Sequence, residues 1–160
     1  MKKLLCFILS VMMLAGCFGV TARAQETIYP KVFHTLTTTE DSATDEWVAA
    51  QKGAYLGNGT SSIAKPDSTH INISGCTNAT RPCDKVRLTL FVERSTSYAT
   101  GYSTYKSYSY SADNAYSIAR EVANIKVEKG YYYRVKGVHS VQEGSTIETT
   151  NSVTNPIDFR

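Results

Sequence analysis

Three histidines, His34, His70 and His139, are the side chains best suited to proton transfer or metal binding, and they lie far apart in the chain. No spacing joins any of them to a second ligand or a nucleophile. The sequence holds no HExxH, CxxC or GxSxG motif and no glycine-rich phosphate loop. His139, in KGVHSV, reads as a structural strand histidine near a sheet edge; Ser140 and Glu143 beside it stand at no catalytic spacing. Acidic residues are scattered, with Asp41, Asp45 and Glu46 early and Asp113, Glu121 and Glu128 late. No DxDxDG calcium loop occurs. Paired-carboxylate glycoside hydrolysis needs no proximity in sequence, so it stays open at this stage. These residues name no catalytic group, no metal site and no cofactor.

Two other residue types carry more. Cys76 and Cys83 stand seven positions apart in CTNATRPC. In an oxidising compartment such a pair is expected as a disulfide stapling a hairpin or loop tip, with Pro82 and the Asn/Thr content marking a turn. Tyrosine is the compositional oddity: 11 in all, nine of them between Tyr98 and Tyr133. A tyrosine ring offers a flat apolar face and a polar tip, suited to sugar stacking or a stiff protein contact. In the run 102–110, Tyr102, Tyr108, Tyr110 and Lys106 share one face, and Tyr105 falls on the serine-rich other face. With the tyrosine face inward, Tyr105 is the expected exposed contact, joined by Lys106 and by Tyr131.

The elements that position these residues read as short strands. Ile71 and Ile73 alternate with polar neighbours, Val86, Leu88, Leu90 and Val92 alternate with Arg87, Thr89, Phe91 and Glu93, and Tyr133 and Val135 later keep the same parity. Turn signals separate the runs at Gly57–Gly59, Lys65–Asp67, Gly75–Asp84, Ser111–Asn114, Lys129-Gly130 and Glu143-Gly144. One passage, Asn114 to Ala123, is also compatible with a helical turn. About seven strands predict an all-β, antiparallel, immunoglobulin-like β-sandwich over residues 46–160. Residues 25–45 are expected as a flexible lead-in, because the run 34–46 holds one leucine among polar and charged residues.

Residues 1–24 are expected as a signal peptide: Lys2-Lys3, then the apolar Leu4–Leu14, too short to span a bilayer as a mature helix. Two processing routes fit. Ala22-Arg23-Ala24 suits cleavage before Gln25 and a secreted product, the preferred reading. Leu14-Ala15-Gly16-Cys17 resembles a lipobox, with Cys17 lipidated and the domain anchored at the cell surface. The net charge of +3 sits entirely in this segment, and positions 25–160 carry 14 basic and 14 acidic residues. That balance argues against nucleic acid as a partner. Three N-x-S/T triplets, at Asn58, Asn72 and Asn78, are ordinarily unused in bacteria.

Two resemblances follow from longer stretches. VEKGYYYRV, residues 127–135, resembles the tyrosine corner of immunoglobulin-like and fibronectin-like sandwiches. That implies Tyr133 bonding back to the backbone, Gly130 relieving the turn, and Tyr131 pointing away from Tyr133. Residues 127–141, together with 73–94 and 148–155, resemble a family of small exported Gram-positive bacterial proteins with no assigned function. The resemblance covers residues 45–155 and implies a secreted bacterial domain without catalytic residues to carry over.

The expected function is a non-enzymatic secreted or cell-surface binding module for an extracellular glycan or protein. A structural envelope protein, or a secreted hydrolase of unrecognised type, are the alternatives. Intact mass of the exported protein separates the processing routes: the expected chain begins at Gln25 without lipid, and a lipid adduct on Cys17 overturns that reading.

Overall fold

The structure, a computed structural model, describes residues 26–28, 32–49 and 55–160. The expected signal segment, both cleavage routes and Cys17 lie outside the described residues. Among the described residues nine strands follow in order: β1 (Glu26–Ile28), β2 (Val32–Thr38), β3 (Ser42–Ala49), β4 (Leu56–Ala64), β5 (His70–Ser95), β6 (Ser103–Lys126), β7 (Tyr132–Glu143), β8 (Thr146–Val153) and β9 (Ile157–Asp158). Among the described residues there is no helix, and Asn114 to Ala123 is part of β6. The expected lead-in carries β1, β2 and the start of β3 instead. Its threonines suit strands, and Ala43, Asp45 and Trp47 alternate as buried residues with Thr44, Glu46 and Val48.

All strands join one sheet, in the order β1-β8-β7-β5-β4-β3-β2, with β6 on the other edge of β5 and β9 beside β7. Pairing is antiparallel except between β1 and β8. The expected sandwich, two separately hydrogen-bonded sheets, is therefore replaced by one strongly curled sheet. The cause lies in β5, whose 26 residues serve two neighbours on one edge. Residues 72–79 pair with β4, and residues 85–95 pair with β7. Between them the β6 register breaks from Asn78 to Cys83. Bulges bend a strand and increase its twist. Asn114 (φ 48°) lies on β6 just past this break, and Asn124 (φ 57°) at a second one near Ile71. Asparagine is among the few residues that tolerate this left-handed backbone. The segment expected as a stapled turn, Gly75–Asp84, is thus strand throughout.

The bend folds two limbs of the sheet against each other. One limb is β2-β3-β4 with the start of β5; the other is β7-β8 with its end. Ile63, Ile71 and Ile73 of the first limb, with Val86, Leu88, Leu90, Val92 and Val135 of the second, are almost wholly buried. All but Ile63 are residues whose alternation marks the strands in the sequence. Each fully buried Leu, Ile or Val stabilises the fold by about 1.5–3 kcal/mol.

Polar groups also cross between the limbs. Thr77 Oγ1 lies 2.9 Å from His139 Nδ1, His139 Nε2 lies 2.8 Å from Ser152 Oγ, and Ser152 Oγ lies 2.6 Å from Ser61 Oγ. Asp45 accepts the Val153 N–H at 2.6 Å, and Glu148 accepts the Leu56 N–H at 2.6 Å. His139 fits because Gly137 has no side chain. A Cβ there would collide with Ser61 Oγ and come within 2.7 Å of His139 Nε2 and 2.8 Å of Ser152 Oγ. The expected edge histidine is therefore a central, fully buried one.

Burial lowers the His139 pKa from 6.5 to about 4, so the ring is neutral near pH 7. Between these values only the unfolded chain takes up the proton. This contribution to stability is fully present above pH 6.5 and is lost as the pH falls towards 4. Denaturant unfolding is expected to lose about 1.4 kcal/mol per pH unit, about 3 kcal/mol across the window. A His139→Gln variant is expected to lack that slope, and an unchanged slope in the variant contradicts the assignment.

Candidate functional site

The turn between β6 and β7 carries the corner anticipated from VEKGYYYRV. Tyr133 donates its hydroxyl to the Glu128 carbonyl at 3.0 Å and accepts the Glu128 N–H at 2.9 Å. Gly130 has φ +92°, a conformation that a side chain would strain. Tyr133 is fully buried and stands edge-on to Phe159, with ring centroids 5.5 Å apart.

The three residues expected to bind ligand gather at this corner, around Arg94. Its guanidinium lies 4.6 Å from the ring centre of Tyr105 and 4.5 Å from that of Tyr131, and it pairs with Glu128 at 2.9 Å. Lys106 Nζ lies 5.1 Å from the Tyr105 ring centre. Tyr105 is not the exposed contact that strict alternation predicts. A bulge opposite Val92 and Glu93 leaves it outside the regular register, and its ring packs edge-on to Tyr133 at 5.8 Å. Its hydroxyl donates to the Lys126 carbonyl at 3.3 Å. Tyr131 does not point away from Tyr133 either; the centroids are 6.3 Å apart. Both rings give a face to Arg94, a cation–π stack worth roughly 0.5–2 kcal/mol per contact. The cluster closes this end of the core.

Beside it opens a cleft of about 500 Å³, lined by Glu40, Asp41, Lys65, Tyr98, Tyr132 and Asp158 among others. These residues come from the β2–β3 turn, the end of β4, the β5–β6 loop, β7 and β9. No local spacing announces such a set, and among them only the tyrosine-rich composition around Tyr98 gives a signal in the sequence. Tyr98 is 54 % exposed and meets Tyr132 edge-to-face at 5.4 Å. Arg160 covers the Tyr132 ring at 4.3 Å.

The segments forming the cleft are held by their own hydrogen bonds. Thr39 N–H donates to the Ser42 carbonyl at 2.7 Å, and Lys65 N–H to the Asp41 carbonyl at 2.8 Å. Tyr102 donates its hydroxyl to the Tyr98 carbonyl at 2.9 Å, and Ser95 donates to the Thr100 carbonyl at 2.6 Å. Lys65 Nζ donates to the Asp158 carbonyl at 2.7 Å and lies 4.5 Å from the Phe159 ring centre. Arg160 donates from Nε and from a terminal nitrogen to the Asp158 carboxylate, at 3.1 and 2.8 Å. Those bonds lower the Asp158 pKa and keep it ionised, an acceptor rather than an acid. The cleft thus combines an exposed aromatic ring, carboxylate acceptors and an ammonium donor on a preset frame. Such a set can hold a polyhydroxylated or peptide ligand. Among the described residues no three of His, Cys, Asp and Glu are grouped so as to hold a metal ion.

A second, shallower groove of about 430 Å³ crosses the outer face of β4, β5 and β6, lined by Thr60, Ser74, Cys76, Arg120 and Glu121. It has no aromatic wall. Here the disulfide expectation fails: both cysteines are free. Strand alternation puts Cys76 on the outer face with Ser74 and Asn78, while Cys83 is buried in the core. Cys76 donates to Asn78 Oδ1 and Cys83 to the Arg81 carbonyl, each at 3.3 Å. Burial raises both thiol pKa values.

The model of a family described as "Family of unknown function (DUF6147)" matches residues 21–157. No curated protein and no solved structure matches the chain.

Peptide mapping after alkylation without reductant tests the thiol geometry. Cys76 is expected to react in the folded protein and Cys83 only after denaturation. Resistance of both in denaturant would instead reveal a bond between them.

Proposed function

The chain belongs to the DUF6147 family, which brings no activity with it, and we propose from the geometry that it is a non-enzymatic binding module whose cleft takes a glycan at the cell exterior. The carrying observation is Tyr98, an exposed ring beside carboxylates and a lysine in a cleft of about 500 Å³. Sugar rings combine an apolar face, which stacks on an aromatic, with hydroxyls that seek carboxylate acceptors. The fixed ion pair of Asp158 with Arg160 supports recognition over acid catalysis. The Lys2-Lys3 and Leu4–Leu14 pattern supports export, with release as a secreted protein preferred over an anchor on Cys17. The corner made by Tyr133 and Glu128 supports kinship with immunoglobulin-like sandwiches, despite the single sheet.

Glycan-array binding by the purified exported protein tests this reading. Retention of a defined glycan is expected, weakened about tenfold or more by Tyr98→Ala, the equivalent of about 1.4 kcal/mol. Tyr105→Ala is expected to bind as the parent does. A silent array, or binding indifferent to Tyr98→Ala, removes the glycan and leaves a protein ligand for the cleft.

A further inference from the structure

β6 is a 24-residue strand, and among the described residues it pairs with β5 alone. Its outer edge therefore presents a row of backbone donors and acceptors, and their natural complement is another extended strand. The two halves of the edge differ. The C-terminal half is interrupted by Asn114 and Asn124 in left-handed backbone and carries exposed Arg120, Glu121 and Lys126. Charges and irregular backbone are how edges resist pairing. From Lys106 to Asp113 the register with β5 is unbroken, and the segment KSYSYSAD has neither glycine nor proline. Its two charges cancel, and neither guards the middle. Lys106 lies over the Tyr105 ring, and Asp113 pairs with Lys85 at 3.1 Å.

We propose that Lys106–Asp113 of β6 is a homodimer interface, pairing antiparallel with the same segment of a second copy. The occupant follows from the alternation. A two-fold axis normal to the sheet keeps each face continuous, and strict alternation of Tyr and Ser makes the segment complementary to its own reverse. Centred on Ser109, the pairing sets Tyr108 opposite the second copy's Tyr110, and Ser107 opposite its Ser111. The tyrosine row already abuts Leu88 and Leu90 of β5 across the strands and is only half-buried. A second copy extends this row and covers it, as cross-strand aromatic pairs do. In this register the seven residues Lys106–Ala112 pair with their counterparts, a contact line about 24 Å long.

The proposal is independent of the cleft, because none of these residues lines it. Sedimentation equilibrium of the purified exported protein is expected to show a concentration-dependent dimer. Ser107→Lys/Ser111→Lys sets lysine against lysine across the two-fold axis and is expected to weaken the dimer at least tenfold. Circular dichroism and melting temperature check that the fold is kept, since both serines are exposed. Mixing this variant with Ser107→Glu/Ser111→Glu is expected to restore pairing as a heterodimer. A monomer at every concentration, a dimer unmoved by the lysines, or a mixture that stays apart would overturn the proposal. So would a monomer whose edge captures a strand of a different protein.

Discussion

The bend in β5 is the constraint on which the molecule depends. β5 pairs with β4 through residues 72–79 and with β7 through residues 85–95 on the same edge, and the register break between these stretches bends it so that the two partners' faces come together. Burial of isoleucine, leucine and valine between the limbs drives the closure, because apolar area leaves water. The curl also encloses polar atoms. Thr77, His139, Ser152 and Ser61 satisfy one another across the gap, and Asp45 and Glu148 each take a backbone N–H from the opposite limb. A buried polar atom left alone would cost about 1–3 kcal/mol. These bonds therefore discriminate: a slip of one limb against the other would break them together while leaving the apolar contacts largely replaceable. Hydrophobic burial closes the sheet, and the polar links fix its register of closure.

This division explains which parts were legible in the sequence. Period two is local, so Ile71, Ile73, Val86 to Val92 and Val135 could be assigned to a buried face, and they are buried. The corner at Tyr133 was legible because its partner, Glu128, lies five residues away. The bend was not. Asn78 to Cys83 has the composition of a turn, with Pro82 among polar residues, and composition does not distinguish a hairpin tip from a bulged strand that continues. The expected disulfide rests on compartment and spacing, whereas the bulged strand sends Cys76 outward and Cys83 inward. The same bias hid β2 and β3. Thr, Asp and Glu suggested a solvated lead-in, yet Asp45 faces the core because Val153 offers it an N–H more than a hundred residues later in the chain. Tyr105 went astray through one bulge, since a single extra residue moves a side chain off its expected face.

The tyrosines are best understood together with the arginines. Arg94 lies against Tyr105 and Tyr131, Arg134 against Tyr102 at 3.9 Å, and Arg160 against Tyr132. Arg94 and Arg134 also bind Glu128 and Glu93, and Arg160 binds Asp158. Each guanidinium is therefore held between a ring and a carboxylate, and each ring gives a face to a cation. Such layers close the end of a sheet with side chains that tolerate water at their rims. The unusual tyrosine content is thus first a structural device.

That use of rings bears on where the proposed ligand would stack. A ring whose face carries a guanidinium must shed it before a ligand can stack, which sets an energetic penalty against binding at Tyr105, Tyr131 or Tyr132. Tyr98 meets Tyr132 edge-on and stays 54 % exposed, with no arginine or lysine of the described residues over it. Its loop is fixed by the bonds from Tyr102 and Ser95, so little conformational freedom remains to be lost on binding. A preset aromatic ring beside fixed donors and acceptors is the requirement that the proposed glycan sets. The scaffold meets it by using its remaining tyrosines to hold the frame still.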